Sequence, residues 1–358
     1  MSNIAINGFG RIGRLALRAA LTKYPNITIS AVNTSGSMDI HGWALLFKYD
    51  TAYGKFSKEI IVHESAQEGE IGSIEVDGKK IPFLAFRNPE EIPWGRYTTE
   101  TVLESTGVFR TRADAEKHLA GGAKRIVISA PPKGGTIKTV MCSINDSDAH
   151  GETVISNGSC TTYSAAPVIK TVLSHFGIEK MTLTTIHAYT SDQRLLDNSH
   201  KDLRRARSAA QNIIPTSSGS AEAIVAIMPE LAGKFESSAM RVPVMTGSLS
   251  DHTFLLPRSV TVEEVNDAFK QESEGQFKSI MTVTEDPIVS SDIIGNDASA
   301  IVDLSLTSVI DGNLLKVYSW YDNEWSYACR LIELAASSIL TLCKTNRRTH
   351  SISPFQYC

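Results

Sequence analysis

The sequence predicts an α/β chain with two parts: a doubly wound parallel-sheet domain, then an α+β domain whose sheet is mainly antiparallel. Three observations carry this prediction. The chain opens as strand, glycine turn, helix and strand. The same strand and helix alternation returns near residue 100. From about Ser159 the pattern changes to a helix followed by long alternating segments. At 358 residues the chain exceeds the comfortable size of one core, so two domains are expected.

The opening elements are a strand over Ile4 to Asn7, an amphipathic helix over Arg14 to Leu21 and a strand over Ile27 to Val32, which make a βαβ start. Apolar runs at Thr101 to Glu104 and Arg125 to Ser129 flank a helical stretch, Arg112 to Ala120, as a parallel sheet requires. Residues 1–158 therefore form the first domain. The second, 159–325, begins with the helix after Ser159. It continues through alternating segments at Thr182 to Ile186, Met240 to Val244, Leu249 to Leu256, Ala300 to Ser308 and Leu314 to Trp320, with a helix over Val262 to Glu272. Between the first two of these segments, His187 to Pro215 is polar, rich in Arg and Ser, and too long for an ordinary connector, so it is expected to be functional or interface-forming. An apolar helix, Cys329 to Leu342, returns to complete the first domain within 326–342. The tail, 343–358, has no clear periodicity and is expected to be a flexible appendage.

Hydrophobic content of 42%, charged content of 21% and a formal net charge of −4 describe an ordinary soluble globular chain, with no sign of nucleic-acid or membrane binding. The five cysteines are widely spaced without a CxxC pair, which argues against zinc ligation or a disulfide scaffold and suggests a reducing compartment. No metal site is expected. The first strand starts too early to leave room for a signal peptide, and no apolar stretch approaches the roughly 20 residues of a membrane span. A cytoplasmic location is therefore expected.

Gly8, Gly10 and Gly13 form G-x-G-x-x-G directly after a strand and opening a helix. In that context the glycines permit a tight turn, close approach of backbone to a pyrophosphate, and close packing of helix on strand. The helix N-terminus supplies amides and positive potential. The first domain is thus expected to be a Rossmann-type NAD(P)-binding domain. The end of its second strand reads Val32-Asn33-Thr34-Ser35-Gly36, with no acid before Asp39. A carboxylate there would repel a ribose phosphate. Neutral groups suggest tolerance of NADP beside NAD, unless a carboxylate arrives from elsewhere or strict NAD use survives without one.

Cys160 lies where the polar turn Asn157-Gly158-Ser159 gives way to an apolar helical run. The positive end of a helix dipole favours thiolate, the form that attacks carbonyls. His187 follows the apolar run Met181 to Ile186, near a strand end. Cys and His converging from two elements suit covalent catalysis through sulfur.

With these motifs in hand, the chain resembles the phosphorylating glyceraldehyde-3-phosphate dehydrogenases. The resemblance runs from Ile4 to about Leu340 and is most specific at Ile6 to Arg14, Lys48-Tyr49-Asp50, Glu104 to Gly107, Ser156 to Thr162 and Ser319 to Trp325. It implies that Cys160 attacks the aldehyde, that His187 accepts the hydroxyl proton, and that hydride transfer leaves a thioester which inorganic phosphate cleaves. By the same resemblance, Thr190, Asp192 and Arg241 hold the substrate phosphate. Ser159, Thr161, Arg205, Ser218 and Gly219 hold the attacking phosphate. Arg11, Ile12 and Ser129 join the glycine turn around the cofactor, Asn323 holds the nicotinamide carboxamide, and Tyr327 packs near the ring. Asn198-Ser199 stands where NAD-dependent members often carry Leu-Pro, as in photosynthetic NADP-using members. Thr34, Ser199 and Arg87 are accordingly candidates for a ribose phosphate. Ser199 would be supplied by a neighbouring subunit of a homotetramer, with the long segment crossing the boundary.

Several positions depart from the family pattern. Tyr163-Ser164 replaces the usual Asn-Cys, which removes a thiol near Cys160; the bulky Tyr163 either perturbs the helix start or is absorbed by local repacking. Ser218 replaces a common Thr and keeps the hydroxyl. Val244 to Gly247 departs from the usual segment near the subunit interface. Cys343 and Cys358 flank a basic rather than acidic tail, unlike the redox-switched photosynthetic members. Two rival readings are an erythrose-4-phosphate dehydrogenase, disfavoured by Ala188-Tyr189-Thr190, and a non-catalytic dinucleotide-binding interaction protein.

Overall fold

A computed structural model describes residues 2–337. Two large sheets dominate it. The first has nine strands, which run across the sheet as Lys138–Thr139, Val154–Ser156, Arg125–Ile128, Thr101–Glu104, Asn3–Asn7, Thr28–Asn33, Lys79–Leu84, Glu70–Val76 and Ile61–His63. The first seven pair in parallel and the last two are added antiparallel. The chain leaves Asn3–Asn7 for Thr28–Asn33 on one side and later returns to Thr101–Glu104 on the other. That reversal opens the crevice at the strand ends where such folds take a dinucleotide. The inner strands are largely buried: Ile4, Ile6, Val32, Leu103 and Val127 share one core.

The helix after the glycine turn spans Arg11–Thr22, with Gly10 as its N-cap. It begins three residues before the amphipathic pattern becomes readable at Arg14. Gly8 takes φ +96°, and a Cβ there would lie 2.7 Å from the Thr106 nitrogen. A Cβ on Gly13 would collide with the Gly8 carbonyl oxygen. A Cβ on Gly10, by contrast, would meet nothing within 4 Å. The first and third glycines thus hold helix and strand together, and the second faces open space.

The second sheet has seven strands in the order Ile214–Ser217, Phe235–Val242, Lys180–Ala188, Ser248–Leu255, Leu314–Tyr321, Ala300–Ile310 and Met281–Thr284. Four of its pairings are antiparallel, and two are parallel: Lys180–Ala188 with Phe235–Val242, and Met281–Thr284 with Ala300–Ile310. The helices Cys160–Phe176 and Val262–Glu274 pack on this sheet. The strict buried alternation of Ser248–Leu255 and Leu314–Tyr321 reflects that one-sided cover.

The last described helix, Trp325–Ala336, starts earlier than the apolar run suggested. It lies against the helix Arg11–Thr22 and the strands Thr101–Glu104 and Arg125–Ile128. Tyr24 donates to Glu333 at 2.6 Å, and Arg125 donates to the Ser337 carbonyl at 2.8 Å. The expected continuation to Leu342 and the tail with Cys343 and Cys358 lie outside the described residues.

Candidate active site

Cys160 is the first residue of the helix Cys160–Phe176, and Ser159 caps that helix by accepting the Thr162 N–H at 3.1 Å. His187 is the penultimate residue of the strand Lys180–Ala188. The two converge with Cys160 Sγ 3.4 Å from His187 Nε2. The other ring nitrogen, Nδ1, lies 2.6 Å from the Ala188 carbonyl oxygen. Nδ1 also lies 3.2 Å from Arg241 Nη1, a donor, but the shorter contact is to a carbonyl, which only accepts; it assigns the hydrogen to Nδ1 and leaves the Nε2 lone pair towards the thiol. Arg241 stands opposite His187 in the parallel register. Its Nη1 donates to the same Ala188 oxygen at 3.2 Å and to Thr190 Oγ1 at 3.3 Å.

The electrostatics correct one expectation. Burial pushes the Cys160 thiol up from its ordinary value, while Arg241 and hydrogen bonds at Thr161 and its own amide pull it down. The helix end therefore does not by itself give a thiolate. Burial, with Arg241 second, pushes His187 down to about 3, against the pull of the Ala188 carbonyl. The geometry places a thiol against an imidazole nitrogen able to accept its proton.

Around the glycine turn, the Arg11 guanidinium is committed elsewhere. It donates to Asp50 at 2.6 Å and to Glu324 at 2.5 Å. What Arg11 and Ile12 offer an anion is the backbone amides of a first helical turn. These amides and the open side of Gly10 fit a dinucleotide pyrophosphate. Thr34 is also corrected: it is 2% exposed, its Oγ1 donates to the Leu84 carbonyl at 3.0 Å, and it accepts the Gly36 N–H at 3.2 Å. The exposed hydroxyls at that corner are Ser35 and Ser37, 2.8 Å apart. Arg87 is exposed just beyond Phe86, whose backbone brackets the Asn33 side chain. Ser129 follows the strand Arg125–Ile128 and donates its N–H to the Glu104 carbonyl at 2.9 Å.

Asn323 accepts at Oδ1 from Gly247 N–H at 3.1 Å and from Ser248 Oγ at 2.9 Å, which turns its amide NH2 end away from both. Tyr327 is buried, and its hydroxyl donates to the Gly158 carbonyl at 3.2 Å. Ser199 is exposed, and its carbonyl accepts from Arg194 Nε at 2.8 Å.

The two expected phosphate groups are arranged differently from the sequence reading. Thr190 stays with Arg241, but Asp192 does not: it pairs with Arg205. Arg205 also donates to Thr216 Oγ1 at 2.8 Å and lies 3.4 Å from Asp202. Burial opposes the Asp192 charge, but the bond to Arg205 outweighs it and holds the carboxyl below its ordinary value. Thr161 Oγ1 pairs with the Tyr321 hydroxyl at 3.0 Å. Ser218 pairs with Ser220 Oγ at 2.9 Å, and Gly219 is the N-cap of the helix Ser220–Ile227.

The sequence reading singled out none of Tyr321, Asp322 and Ser248. Tyr321 lies edge-on to His187, with ring centroids 6.1 Å apart. Asp322 is fully buried, and its carboxylate accepts from Tyr53 Oη at 2.7 Å, Gly295 N–H at 2.8 Å, Glu324 and Trp325 N–H at 2.9 Å each, and Thr246 Oγ1 at 3.3 Å. Only the quoted run Ser319 to Trp325 hinted at the first two. Tyr163 is absorbed rather than disruptive: it is buried, donates to Asn157 Oδ1 at 3.0 Å and accepts the Cys142 N–H at 3.3 Å. Among the described residues no cluster of His, Cys, Asp and Glu is placed to hold a metal ion, and no helix is long and apolar enough to cross a membrane.

Comparison with known proteins finds matches over both parts of the chain. Residues 2–112 match the family model for the glyceraldehyde 3-phosphate dehydrogenase NAD binding domain, and residues 159–323 match that for the C-terminal domain. The chain is 51% identical over 333 residues to a glyceraldehyde-3-phosphate dehydrogenase of Streptomyces coelicolor, covering 92% of this chain and 96% of the relative. It is 49% identical to glyceraldehyde-3-phosphate dehydrogenase 2 of Streptomyces avermitilis, with the same coverage. With the Geobacillus stearothermophilus enzyme of that name it shares 47% identity, over 93% of this chain and 97% of the relative.

Proposed function

The chain belongs to the glyceraldehyde-3-phosphate dehydrogenase family, and from that premise we propose how its own residues carry the reaction. It is an NAD(P)-dependent oxidoreductase that converts glyceraldehyde 3-phosphate and inorganic phosphate to 1,3-bisphosphoglycerate, reversibly and as in glycolysis. The single observation that carries the residue roles is the contact of Cys160 Sγ with the unprotonated Nε2 of His187.

As Cys160 bonds to the aldehyde carbon, His187 accepts the thiol proton and passes it to the carbonyl oxygen, which becomes a hydroxyl, giving a hemithioacetal and a neutral ring. A bound dinucleotide would supply the hydride acceptor; the glycine-turn amides would hold its pyrophosphate and Asn323 its nicotinamide carboxamide. His187 takes the hydroxyl proton in the oxidation step, leaving a thioester on Cys160. Phosphate oxygen then bonds to the acyl carbon, the carbon–sulfur bond breaks, and the thiol regains its proton. Arg241 with Thr190 binds the substrate phosphate. Arg205 with Ser218 and the Gly219 helix end receives the attacking phosphate, with Asp192 as the partner that Arg205 must share. The erythrose-4-phosphate reading and the non-catalytic reading are not favoured.

We further infer that NADP serves beside NAD. The support is the absence of an acid at residues 33–38, the exposed Ser35 and Ser37 hydroxyls, and the exposed Arg87. We infer a homotetramer from the exposed Leu195, Leu196, Leu203 and Ile213 on the long segment after His187, and a cytoplasmic location and operation in either direction, gluconeogenesis included, from the family alone. The test is kcat/KM with each cofactor on glyceraldehyde 3-phosphate, with and without phosphate. NADP turnover below about a thousandth of NAD turnover removes the dual-cofactor reading.

A further inference from the structure

Ser248 opens the strand Ser248–Leu255 and is 1% exposed. Its Oγ accepts the Ala188 N–H at 3.2 Å and donates to Asn323 Oδ1 at 2.9 Å. Ala188 is the residue whose carbonyl fixes the His187 tautomer, with Nδ1 2.6 Å away. One peptide residue is therefore held from both ends, by Ser248 at its N–H and by the His187 and Arg241 donors at its oxygen. A continuous path results, from Asn323 Oδ1 through Ser248 Oγ to the Ala188 amide, and from the Ala188 carbonyl through the imidazole to Cys160. No other single side chain among the described residues is hydrogen-bonded to both Ala188 and Asn323.

We propose that Ser248 is a positioning residue that ties Asn323 to His187, so that one hydroxyl sets both the carboxamide end facing the cofactor and the orientation of the base. This rests on the roles given above to Asn323 and His187. The chemistry selects a hydroxyl because the position must accept and donate at once. An alanine would leave the Ala188 N–H and one lone pair of Asn323 Oδ1 unmatched in a buried place, freeing both to turn. The groups that face His187 directly are Cys160 from the helix, Arg241 from the parallel strand and Tyr321 across the sheet. Ser248 adds no charge to that set, so its effect is one of geometry.

The test uses the full chain and three readouts: the pH profile of Cys160 alkylation by iodoacetamide without cofactor, NAD affinity, and steady-state kinetics. Ser248→Ala is expected to displace the alkylation profile, to weaken NAD binding about 10-fold and to lower kcat about 10- to 100-fold, with Ser248→Thr restoring all three. Asn323→Ala supplies an arm that leaves Ser248 in place. It is expected to displace the cofactor-free alkylation profile as well, although Asn323 bonds to neither Cys160 nor His187; a residue that only held cofactor would leave that profile unmoved. If Ser248→Ala is too unstable to purify, the Asn323→Ala profile decides. Wild-type profiles for these variants, alongside a displaced profile in His187→Asn, overturn the link and leave the catalytic roles standing. An unmoved profile and full turnover in His187→Asn overturn the underlying roles, and the link with them.

Discussion

His187 Nε2 meets Cys160 Sγ at 3.4 Å while the same ring donates through Nδ1 to its own successor, the Ala188 carbonyl. A general base is expected to contribute about 10²- to 10⁴-fold. His187→Asn should lower kcat within that range and slow iodoacetamide alkylation at neutral pH, with a smaller effect on NAD affinity, because the ring reaches Asn323 only through Ala188 and Ser248. Stopped-flow hydride transfer and alkylation kinetics check both parts. A variant with wild-type kcat would rule out His187 as the base.

Asp322 collects five donors from four segments of chain and sits between Tyr321, which bonds to Thr161, and Asn323. In Asp322→Asn, one oxygen becomes an NH2 facing N–H groups, and each buried donor left unmatched costs about 1–3 kcal/mol. The variant should lose several degrees of Tm and raise the KM for NAD about tenfold or more. Tyr53→Phe removes only one of the five donors and should show the same pattern in weaker form. Equal NAD KM values in wild type and Asp322→Asn would argue that this hub supports folding alone.

The chemistry-bearing residues were easier to read from the sequence than their partners. The glycine turn was legible because Gly8 and Gly13 answer to local backbone demands, and Cys160 because a helix start has a local signature. Long-range pairing has no such signature. Arg11 finds Glu324 and Asp50, and Ser248 finds Asn323, across long stretches of chain, while Asp192 finds Arg205 within the irregular segment between the strands Lys180–Ala188 and Ile214–Ser217. The alternation in 180–188, 248–255 and 314–321 revealed strands but not that Phe235–Val242 would pair in parallel with Lys180–Ala188. The short strands Lys138–Thr139 and Val154–Ser156 escaped because two or three residues carry no period.

The long segment after His187 exposes Leu195, Leu196, Leu203 and Ile213, at 69–81% of their surfaces. Four large apolar side chains in water on one segment are best explained by cover from another copy. Leu203→Asp should shift the sedimentation profile to smaller species at micromolar concentration. An unchanged profile would place the subunit contact elsewhere.

Ser164 lies one helical turn after Cys160, is buried, and supplies no thiol. Hydrogen peroxide should therefore add oxygen atoms stepwise to Cys160, first as sulfenic and then as sulfinic acid, without a disulfide to that neighbour. Intact mass after brief exposure distinguishes the outcomes. Loss of two hydrogens with both sulfurs mapped near the helix start would contradict the prediction.

His252 ties the fold to pH. It is fully buried in the second sheet, its Nε2 lies 3.1 Å from Ser319 Oγ, and its ring stacks on Phe254. Burial pushes it down to about 3, from an ordinary value of 6.5. The sign follows from proton counting: between those two values the unfolded chain binds a proton at this ring that the folded chain refuses. The associated stability is fully present above about pH 6.5 and is lost as pH falls towards 3, with a slope of at most about 1.4 kcal/mol per pH unit. His187 behaves in the same direction. His252→Gln keeps an amide for Ser319 but cannot titrate, so it should be less stable than wild type at pH 7.5 and close that gap as pH falls to 5. Urea midpoints at pH 7.5, 6 and 5 measure this, and a gap that stays constant across the series would show that His252 is not a source of the acid sensitivity.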